Sequence, residues 1–298
     1  MRSGGMTVPV LINRGASNAG DAQQRAAAAL IEAGIDGKIE VLNGEQLGRR
    51  VKKLVAARAK LIIVGGGDGT VSGAAGALAD NKTTLGILPL GTLNHLARDL
   101  GISFDLDEAA ATIASGRMRR VDLAELNGRT FVNNSAIGLY PLMVVDREAQ
   151  QKRLGRSKRL AMLVASARTL VRFHHHRLTL TVNGDDKQVV ETPLLFVGNN
   201  DYKLAMPAAG RRQKLDAGHL SVLVMADKGR AGMIAALLRA LAGRAKPDDM
   251  ERIDNVETLR VTGRRSHYSI AMDGETLKLA PPLDYQIRKR ALRVMAPR

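Results

Sequence analysis

The sequence predicts an α/β part built on a parallel sheet, followed by an antiparallel, β-sandwich-like part. Up to about residue 120, short apolar runs alternate with helical patterns, which is typical of a parallel sheet covered on both faces. Beyond it, alternating apolar and polar residues and the turn signal Asn183-Gly184 favour antiparallel strands. We therefore predict two domains, residues 1–120 and 121–298, and leave open that the last strand of the chain joins the first domain.

The elements of the first domain alternate along the chain. Its predicted strands are Val8–Ile12, Lys38–Leu42, Leu61–Val64 and Leu85–Leu88. Its predicted helices are Ala22–Ala33, Leu47–Ala59, Val71–Ala79 and Leu93–Leu100. The strands are short and mostly apolar, as burial on both faces requires.

The second domain contains mostly strand candidates, interrupted by two helical stretches rich in Ala, Leu, Met and Arg. The predicted strands are Leu178–Val182, Val189–Val190, Leu194–Val197, Leu220–Met225, Leu259–Thr262, Tyr268–Met272 and Thr276–Leu279. The helical stretches are Leu160–Phe173 and Ala231–Leu241.

Charge and composition restrict the partners of the chain. The net charge is +16 and most of the excess lies after residue 120, so the surface should attract phosphates, anionic lipid or nucleic acid. With no Trp and only four Phe and four Tyr, a base-stacking platform is hard to build, and we expect no nucleic-acid partner. The absence of Cys excludes disulfides and thiolate metal sites.

Membrane insertion is not expected from the sequence. No run approaches the roughly 20 apolar residues that span a bilayer. The first residues are too short and polar for a signal peptide, and Met6 is an alternative start to Met1. We expect a cytoplasmic protein that binds to a membrane surface, without crossing it, if its function involves a membrane.

A glycine-rich loop at Val64–Thr70 follows a predicted buried strand and opens a helix. Glycines there let the backbone adopt positive φ and approach a ligand closely, and successive N–H groups suit phosphate oxygens. Thr70 can cap the helix or bond a phosphate. Asp68 would repel a bare phosphate, so it should act through Mg²⁺ or by orienting a neighbour. The alternative is a tight strand–helix turn; the pattern matches neither the Walker nor the dinucleotide loop.

A second loop, Leu88–Asn94, repeats this logic after the next strand. Adjacent parallel strands bring successive loops to one sheet edge, so Gly91, Thr92 and Asn94 should face the first loop. Thr92 and Asn94 offer a hydroxyl and an amide for phosphate, ribose or base. The alternative is that Thr92 simply caps the following helix.

These two motifs, Gly66-Gly67-Asp68-Gly69-Thr70 and Pro89-Leu90-Gly91-Thr92-Leu93-Asn94, resemble the catalytic domain of bacterial diacylglycerol kinases and related lipid kinases, including sphingosine and ceramide kinases. The resemblance continues in order through five further stretches, which are 133–138, 197–200, 215–218, 272–275 and 291–294. It implies an NAD-kinase-like α/β nucleotide domain followed by a β-sandwich-like domain, with the active site in the cleft between them.

The resemblance also implies site residues. ATP, with Mg²⁺, would be held by Asn13 and by the two loops, through Gly66, Gly67, Asp68, Gly69, Thr70, Val71, Ser72, Gly91, Thr92 and Asn94. Glu275 matches the proposed general base of the family, and Asp273 would orient Glu275 or a metal-bound water. Asp68 would help to position the nucleotide-bound metal. Without the family resemblance, Asp273-Gly274-Glu275 is equally compatible with a plain hairpin turn.

Three departures from the family pattern affect these expectations. The usual N-terminal Asn-Pro-x-Ser-Gly loop is Asn13-Arg14-Gly15-Ala16-Ser17 here, so only Asn13 carries over. His95 stands where many members have an Asp of a polar network. Ala217 stands where Asp often precedes Gly in the metal loop, which leaves Asp216 as the only acidic candidate for a structural metal.

The function expected from these observations is an ATP-dependent lipid kinase that phosphorylates a hydroxyl of a membrane lipid such as diacylglycerol. The alternatives are a superfamily kinase acting on a soluble substrate such as NAD, a non-catalytic nucleotide- or lipid-binding protein, and, by charge alone, a nucleic-acid binder. Basic and apolar residues mix in Gln151–Phe173, which fits an amphipathic helix on an anionic membrane or one packed on the second domain. Peripheral association with the inner face of the membrane is expected, and a homodimer stays open.

The run His174-His175-His176 does not predict a metal site. Side chains alternate along a strand, so three consecutive histidines cannot all face one ion.

Overall fold

The computed structural model describes residues 7–15, 19–138, 175–185, 187–202, 214–226 and 249–298, and the single residues Arg212, Gly229, Gly232, Ala235 and Arg239. The predicted helix at 160–173, most of that at 231–241, and His174 lie outside these residues. Among the described residues, no helix is long and apolar enough to cross a membrane.

Strands and helices alternate up to Leu100, as the sequence predicts, and a second helix, Leu106–Ser115, then follows directly. The elements are β1 (Val8–Asn13), α1 (Ala19–Glu32), β2 (Gly37–Leu42), α2 (Gly44–Ala56), β3 (Leu61–Gly66), α3 (Asp68–Leu78), β4 (Thr84–Pro89), α4 (His95–Leu100) and α5 (Leu106–Ser115). The four strands run parallel in the order β2-β1-β3-β4. Their central residues, among them Leu11, Ile63 and Leu85, are fully buried between the helices.

The remaining described strands form the antiparallel part. They are β5 (Arg117–Leu126), β6 (Arg129–Phe131), β7 (Asn134–Gly138), β8 (His176–Val182), β9 (Gln188–Thr192), β10 (Leu194–Asn199), β11 (Leu220–Met225), β12 (Met250–Val256), β13 (Thr258–Gly263), β14 (Tyr268–Met272), β15 (Glu275–Leu279) and β16 (Leu283–Ala296). Six of them make a separate sheet in the order β12-β11-β10-β7-β14-β15. One apolar core holds residues of both sheets, for example Val261 and Tyr285 from one and Val197 and Ile270 from the other. The predicted β-sandwich-like architecture is confirmed.

Strand β16 joins the two parts of the molecule. It is 14 residues long and pairs antiparallel with β5 and β13. Near its end it pairs parallel with β4, through Arg293 beside Thr84 and Val294 beside Leu85. The boundary placed near 119–122 falls inside β5, which pairs with β16 along both halves. The division into two domains stays a prediction.

Candidate active site

The two glycine-rich loops meet at the carboxyl edge of the parallel sheet. A Cβ placed on Gly91 would lie 2.3 Å from the Cα of Gly67, so the two backbones are in contact. A Cβ on Gly66 would lie 2.6 Å from the Cβ of Thr70. None of the described glycines 65–69 or 91 has positive φ. The expectation of left-handed backbone was wrong: these glycines provide room for close approach.

Asp68 connects the loops through hydrogen bonding. It is the first residue of α3, and its Oδ1 accepts a hydrogen bond from the backbone N–H of His95 at 2.6 Å. His95 begins α4, so the carboxylate fixes the start of the neighbouring helix. Of the two roles predicted for Asp68, this contact is the orienting one. The ring Nδ1 of His95 accepts from Arg98 at 3.0 Å, because a guanidinium can only donate.

Asn13 and Thr70 join the end of β1 to the first loop. The amide Nδ2 of Asn13 donates to the Thr70 hydroxyl at 2.6 Å, while its Oδ1 accepts from the N–H of Gly15 at 3.0 Å. Thr70 lies within the first turn of α3, because that helix begins at Asp68. The side chain that carries over from the family pattern therefore supports the loop.

Asn94 uses its amide inside its own loop. Its Oδ1 accepts from the N–H of Gly91 at 3.0 Å, and its Nδ2 donates to the Gly91 carbonyl at 2.9 Å. The residue is buried and has φ 45°. Thr92 is exposed and does not cap α4, whose preceding residue is Asn94. Thr92 thus offers a free hydroxyl while Asn94 shapes the loop.

A tight hairpin between β14 and β15 brings Asp273 and Glu275 to this edge. Asp273 and Gly274 form its turn with φ 48° and 88°, the pattern of a two-residue type I′ turn. The Asp273 carboxylate accepts from the Ser72 hydroxyl and from three backbone N–H groups, those of Val132 at 2.8 Å, Asn133 at 2.8 Å and Asn134 at 3.2 Å. Burial raises the pKa of Asp273 above its usual range, although all four donors oppose the shift.

Glu275 occupies a different environment two residues later. Its side chain is exposed, and it makes no hydrogen bond or ion pair with any described residue. A Cβ built on Gly69 would lie 3.4 Å from its Oε1, so the carboxylate reaches over the start of α3. Glu275 is therefore available for chemistry at the place where the two glycine-rich loops meet.

Together these residues surround one cleft of about 450 Å³, called here the phosphate cleft. Its lining is Asn13, Gly15, Gly44, Leu47, Gly48, Gly67, Asp68, Gly69, Thr70, Gly73, Leu90, Gly91, Thr92 and Glu275. Six predicted residues do not line it: Gly66, Val71, Ser72, Asn94, Asp216 and Asp273. Val71 packs in the core, and Ser72 is buried against Asp273.

Arg212 is a central residue that the sequence did not reveal. Its side chain is fully buried and pairs with the buried Asp99 of α4 at 2.8 Å. It also donates to the carbonyl of Val132 and, at 3.0 Å, to Oδ1 of Asn133. The guanidinium therefore links the helix after the second loop to the turn that holds Asp273. No local pattern marks it, since Asp99, Val132 and Asn133, which accept these hydrogen bonds, lie 79 to 113 positions away.

Tyr202 covers the guanidinium of Arg212. The carbon Cζ of Arg212 lies 5.7 Å from the centre of the tyrosine ring, a cation–π distance. Burial raises the pKa of Tyr202 to about 12, while the nearby cation opposes the shift. The phenol therefore stays protonated at neutral pH.

The surroundings of the predicted metal residue, Asp216, form no metal site in the described part of the chain. Asp216 is exposed, and the described residues contain no cluster of three His, Cys, Asp or Glu that could hold an ion. Protein groups fix its loop instead: Asp122 accepts from the N–H of Gly218 at 2.7 Å, and Asn200 accepts from that of Ala217 at 3.0 Å. This donor set does not fit a structural metal at the loop.

Residues 7–126 match the sequence family described as the diacylglycerol kinase catalytic domain. This match confirms the resemblance carried by the two loop motifs.

Two curated relatives have related names. The diacylglycerol kinase of Bacillus subtilis (strain 168) is 40% identical over 95 residues, 31% of each chain. The "Probable lipid kinase YegS-like" of Yersinia enterocolitica serotype O:8 / biotype 1B is 39% identical over 94 residues, 30% of this chain and 32% of its own. These matches span about a third of the length of the relatives.

Solved structures have a similar fold over nearly the whole length of this chain. A diacylglycerol kinase from Bacillus anthracis str. Sterne superposes with a TM-score of 0.70, covering 97% of this chain and 96% of its own, at 20% identity. The β-rich part therefore shares its architecture with that protein.

Proposed function

We propose that the chain is an ATP-dependent lipid kinase, which transfers the γ-phosphoryl group to a hydroxyl of a membrane lipid such as diacylglycerol. The observation that carries this proposal is the phosphate cleft itself. Two glycine loops in backbone contact and a free carboxylate, Glu275, face one space. The names of the relatives support the same chemistry.

The loops fit the polyphosphate. The first N–H groups of a helix lack partners within the helix, and those of α3 begin at Asp68 beside the cleft. The free hydroxyl of Thr92 adds a donor at the second loop. Mg²⁺ bound to the nucleotide would neutralise charge on the transferred group, and Asp68 fits it because Mg²⁺ usually takes one or two carboxylates together with substrate phosphates.

Glu275 fits the role of general base. Its carboxylate takes the proton of the lipid hydroxyl, the hydroxyl oxygen forms a bond to the γ-phosphorus, and the bond to the ADP oxygen breaks. A positioned base contributes about 10²–10⁴-fold to such a step. Asp273 cannot share this role, since its oxygens already accept four hydrogen bonds, and we assign it the positioning of the hairpin.

The lipid must be met at a membrane surface. The basic segment 151–173 suits an anionic surface and would place the protein peripherally at the inner face of the membrane. A homodimer is compatible with this proposal and is not required by it.

The decisive experiment uses [γ-³²P]ATP with lipid alcohols in mixed micelles, with NAD as the soluble comparison and Asp68→Ala as the inactive control. We expect label in at least one lipid and none in NAD. Label in NAD alone would favour the soluble-substrate alternative. Nucleotide binding without transfer to any acceptor would favour a non-catalytic protein.

A further inference from the structure

A second cavity, called here the basal pocket, lies at the other end of α2 from the phosphate cleft. Gly44, Leu47 and Gly48 of α2 line the phosphate cleft, whereas Arg50, Leu54 and the following Ala57 line the basal pocket. The apolar α2 residues of the two linings, Leu47 and Leu54, are about two helical turns apart, or roughly 10 Å at 1.5 Å per residue. The basal pocket opens at the starting ends of β1, β2 and β3 and has a volume of about 370 Å³. Ligand pockets begin at about 300 Å³.

The lining of the basal pocket combines an apolar floor with a cationic rim. The floor consists of Val8, Pro9, Leu54, Ala57, Ala59 and Leu61. The rim carries Lys38, Arg58 and Lys60, which are exposed and have no ion pair or hydrogen bond from their side chains to any described residue.

Acidic groups near this rim are fewer than the cations and already engaged. Glu40 is held by Arg50 through a two-pronged contact with a shortest distance of 2.7 Å, and this hydrogen bonding lowers the pKa of Glu40. Asp36 accepts from the Thr7 hydroxyl at 3.0 Å. The lining carries four cations, Lys38, Arg50, Arg58 and Lys60, against the single carboxylate of Glu40, so it keeps a positive excess although the charge of Lys38 also acts on Glu40.

The conformation of Arg58 is a second, independent observation. The N–H of Ala59 bonds the Leu54 carbonyl and the N–H of Arg58 bonds the Val55 carbonyl, which is the Schellman ending of a helix. The left-handed position in that motif strongly favours glycine, yet it holds Arg58 with φ 58°. An arginine kept in a strained backbone conformation at the rim of a cavity points to a use for its side chain.

We propose that the basal pocket binds an amphipathic phosphate, with the hydrocarbon on the apolar floor and the phosphate among Lys38, Arg58 and Lys60. Neither a bare phosphate nor a neutral amphiphile satisfies both halves of the lining. The site is separate from the proposed transfer reaction, and its binding is measured without turnover.

Isothermal titration calorimetry of the full chain with n-octyl phosphate tests the proposal, with inorganic phosphate and n-octyl glucoside as the single-feature probes. We expect n-octyl phosphate to bind at least about tenfold more tightly than either, a difference of ~1.4 kcal/mol. The triple change K38Q/R58Q/K60Q should remove this advantage. The matched triple K52Q/K53Q/K82Q removes three exposed cations outside the pocket and should change Kd less than twofold.

Equal losses in the two triple variants would mean diffuse attraction and would overturn the site. Equal binding of inorganic phosphate and n-octyl phosphate would overturn it as well. Arg58→Gly tests the site without loss of stability, because glycine relieves the backbone strain and should keep or raise Tm. Weaker n-octyl phosphate binding by that stable variant supports the proposal, and unchanged binding refutes it. A failed kinase assay affects none of these outcomes.

Discussion

Removing Arg212 should destabilise the protein far more than removing an exposed arginine. Arg212 and Asp99 are both buried, with exposed side-chain fractions of 0% and 3%. Truncating one partner of a buried pair leaves the other charge uncompensated and typically costs about 3–5 kcal/mol. We therefore expect Arg212→Met to lower the free energy of unfolding by about that amount, which is a large share of a typical total of about 5–15 kcal/mol.

The matched control is Arg260→Met, which removes the same charge from an exposed pair. Arg260 and Asp284 are 60% and 45% exposed, and solvent screens such a pair, so its loss should be far smaller. Urea unfolding followed by far-UV circular dichroism measures both variants, and a shifted midpoint at constant slope reports stability. Arg212→Lys should fall between them, because lysine keeps the charge but lacks the fork that reaches Asp99 and Asn133 together.

The pairing itself is tested by a double-mutant cycle. If Asp99→Asn is combined with Arg212→Met, the loss should be smaller than the sum of the single losses, since no buried charge is left alone. Additive losses, or a loss for Arg212→Met no larger than that for Arg260→Met, would refute the reasoning. In the proposed kinase, Arg212→Lys should also lower kcat, because Arg212 holds the turn on which Asp273 rests.

Four further predictions concern the proposed reaction and the membrane at which it would occur. Asp68→Ala should abolish turnover and reduce the thermal stabilisation by nucleotide, and the loss of its bond to the start of α4 should lower the free energy of unfolding by about 1 kcal/mol. Wild-type activity in this variant would exclude the loop from the mechanism. Glu275→Gln should lower kcat by about 10²–10⁴-fold at nearly unchanged ATP affinity, and an effect on the KM for ATP alone would give Glu275 another role. Asp273→Asn should lower both Tm and kcat, because the new NH₂ group faces donors that each need an acceptor, at about 1–3 kcal/mol per unsatisfied group; an unchanged Tm would contradict this network. The wild type should sediment with anionic liposomes, and this binding should weaken with added salt and when four cations of the basic segment are replaced by Gln. Equal binding to neutral and anionic vesicles would exclude the basic segment as the membrane-binding surface. Those cations are Lys152, Arg153, Lys158 and Arg159.

The sequence was most informative where structure depends on local pattern. Apolar runs predicted the parallel strands, and adjacency of parallel strands predicted that the two loops meet. The helix α5 was missed although Asp105 followed by Glu108 is a start signal, and Asp105 does cap the N–H groups of Asp107 and Glu108. Strand β16 was missed over most of its length because its charged stretch Arg288–Arg290 reads as solvated surface.

The network around the cleft could not be predicted because its partners are distant in sequence. Ser72 meets Asp273 across 201 positions, and Arg212 meets Asp99 across 113. An Arg in a basic stretch normally lies in solvent. Only the tertiary fold shows that this one is buried. The role of the glycines likewise depends on the contact between Gly67 and Gly91, which neither loop shows alone.

The hairpin at 273–275 explains how one motif supplies two acidic residues with opposite properties. A type I′ turn reverses the chain at Asp273 and Gly274, so the Asp273 carboxylate is directed into the turn at 132–134. That anchoring fixes where β15 begins and so where Glu275 emerges over Gly69. A base must be held in place and yet keep its oxygens free for the proton that it takes. Two carboxylates, one satisfied and one free, meet both requirements, and either residue alone would meet only one.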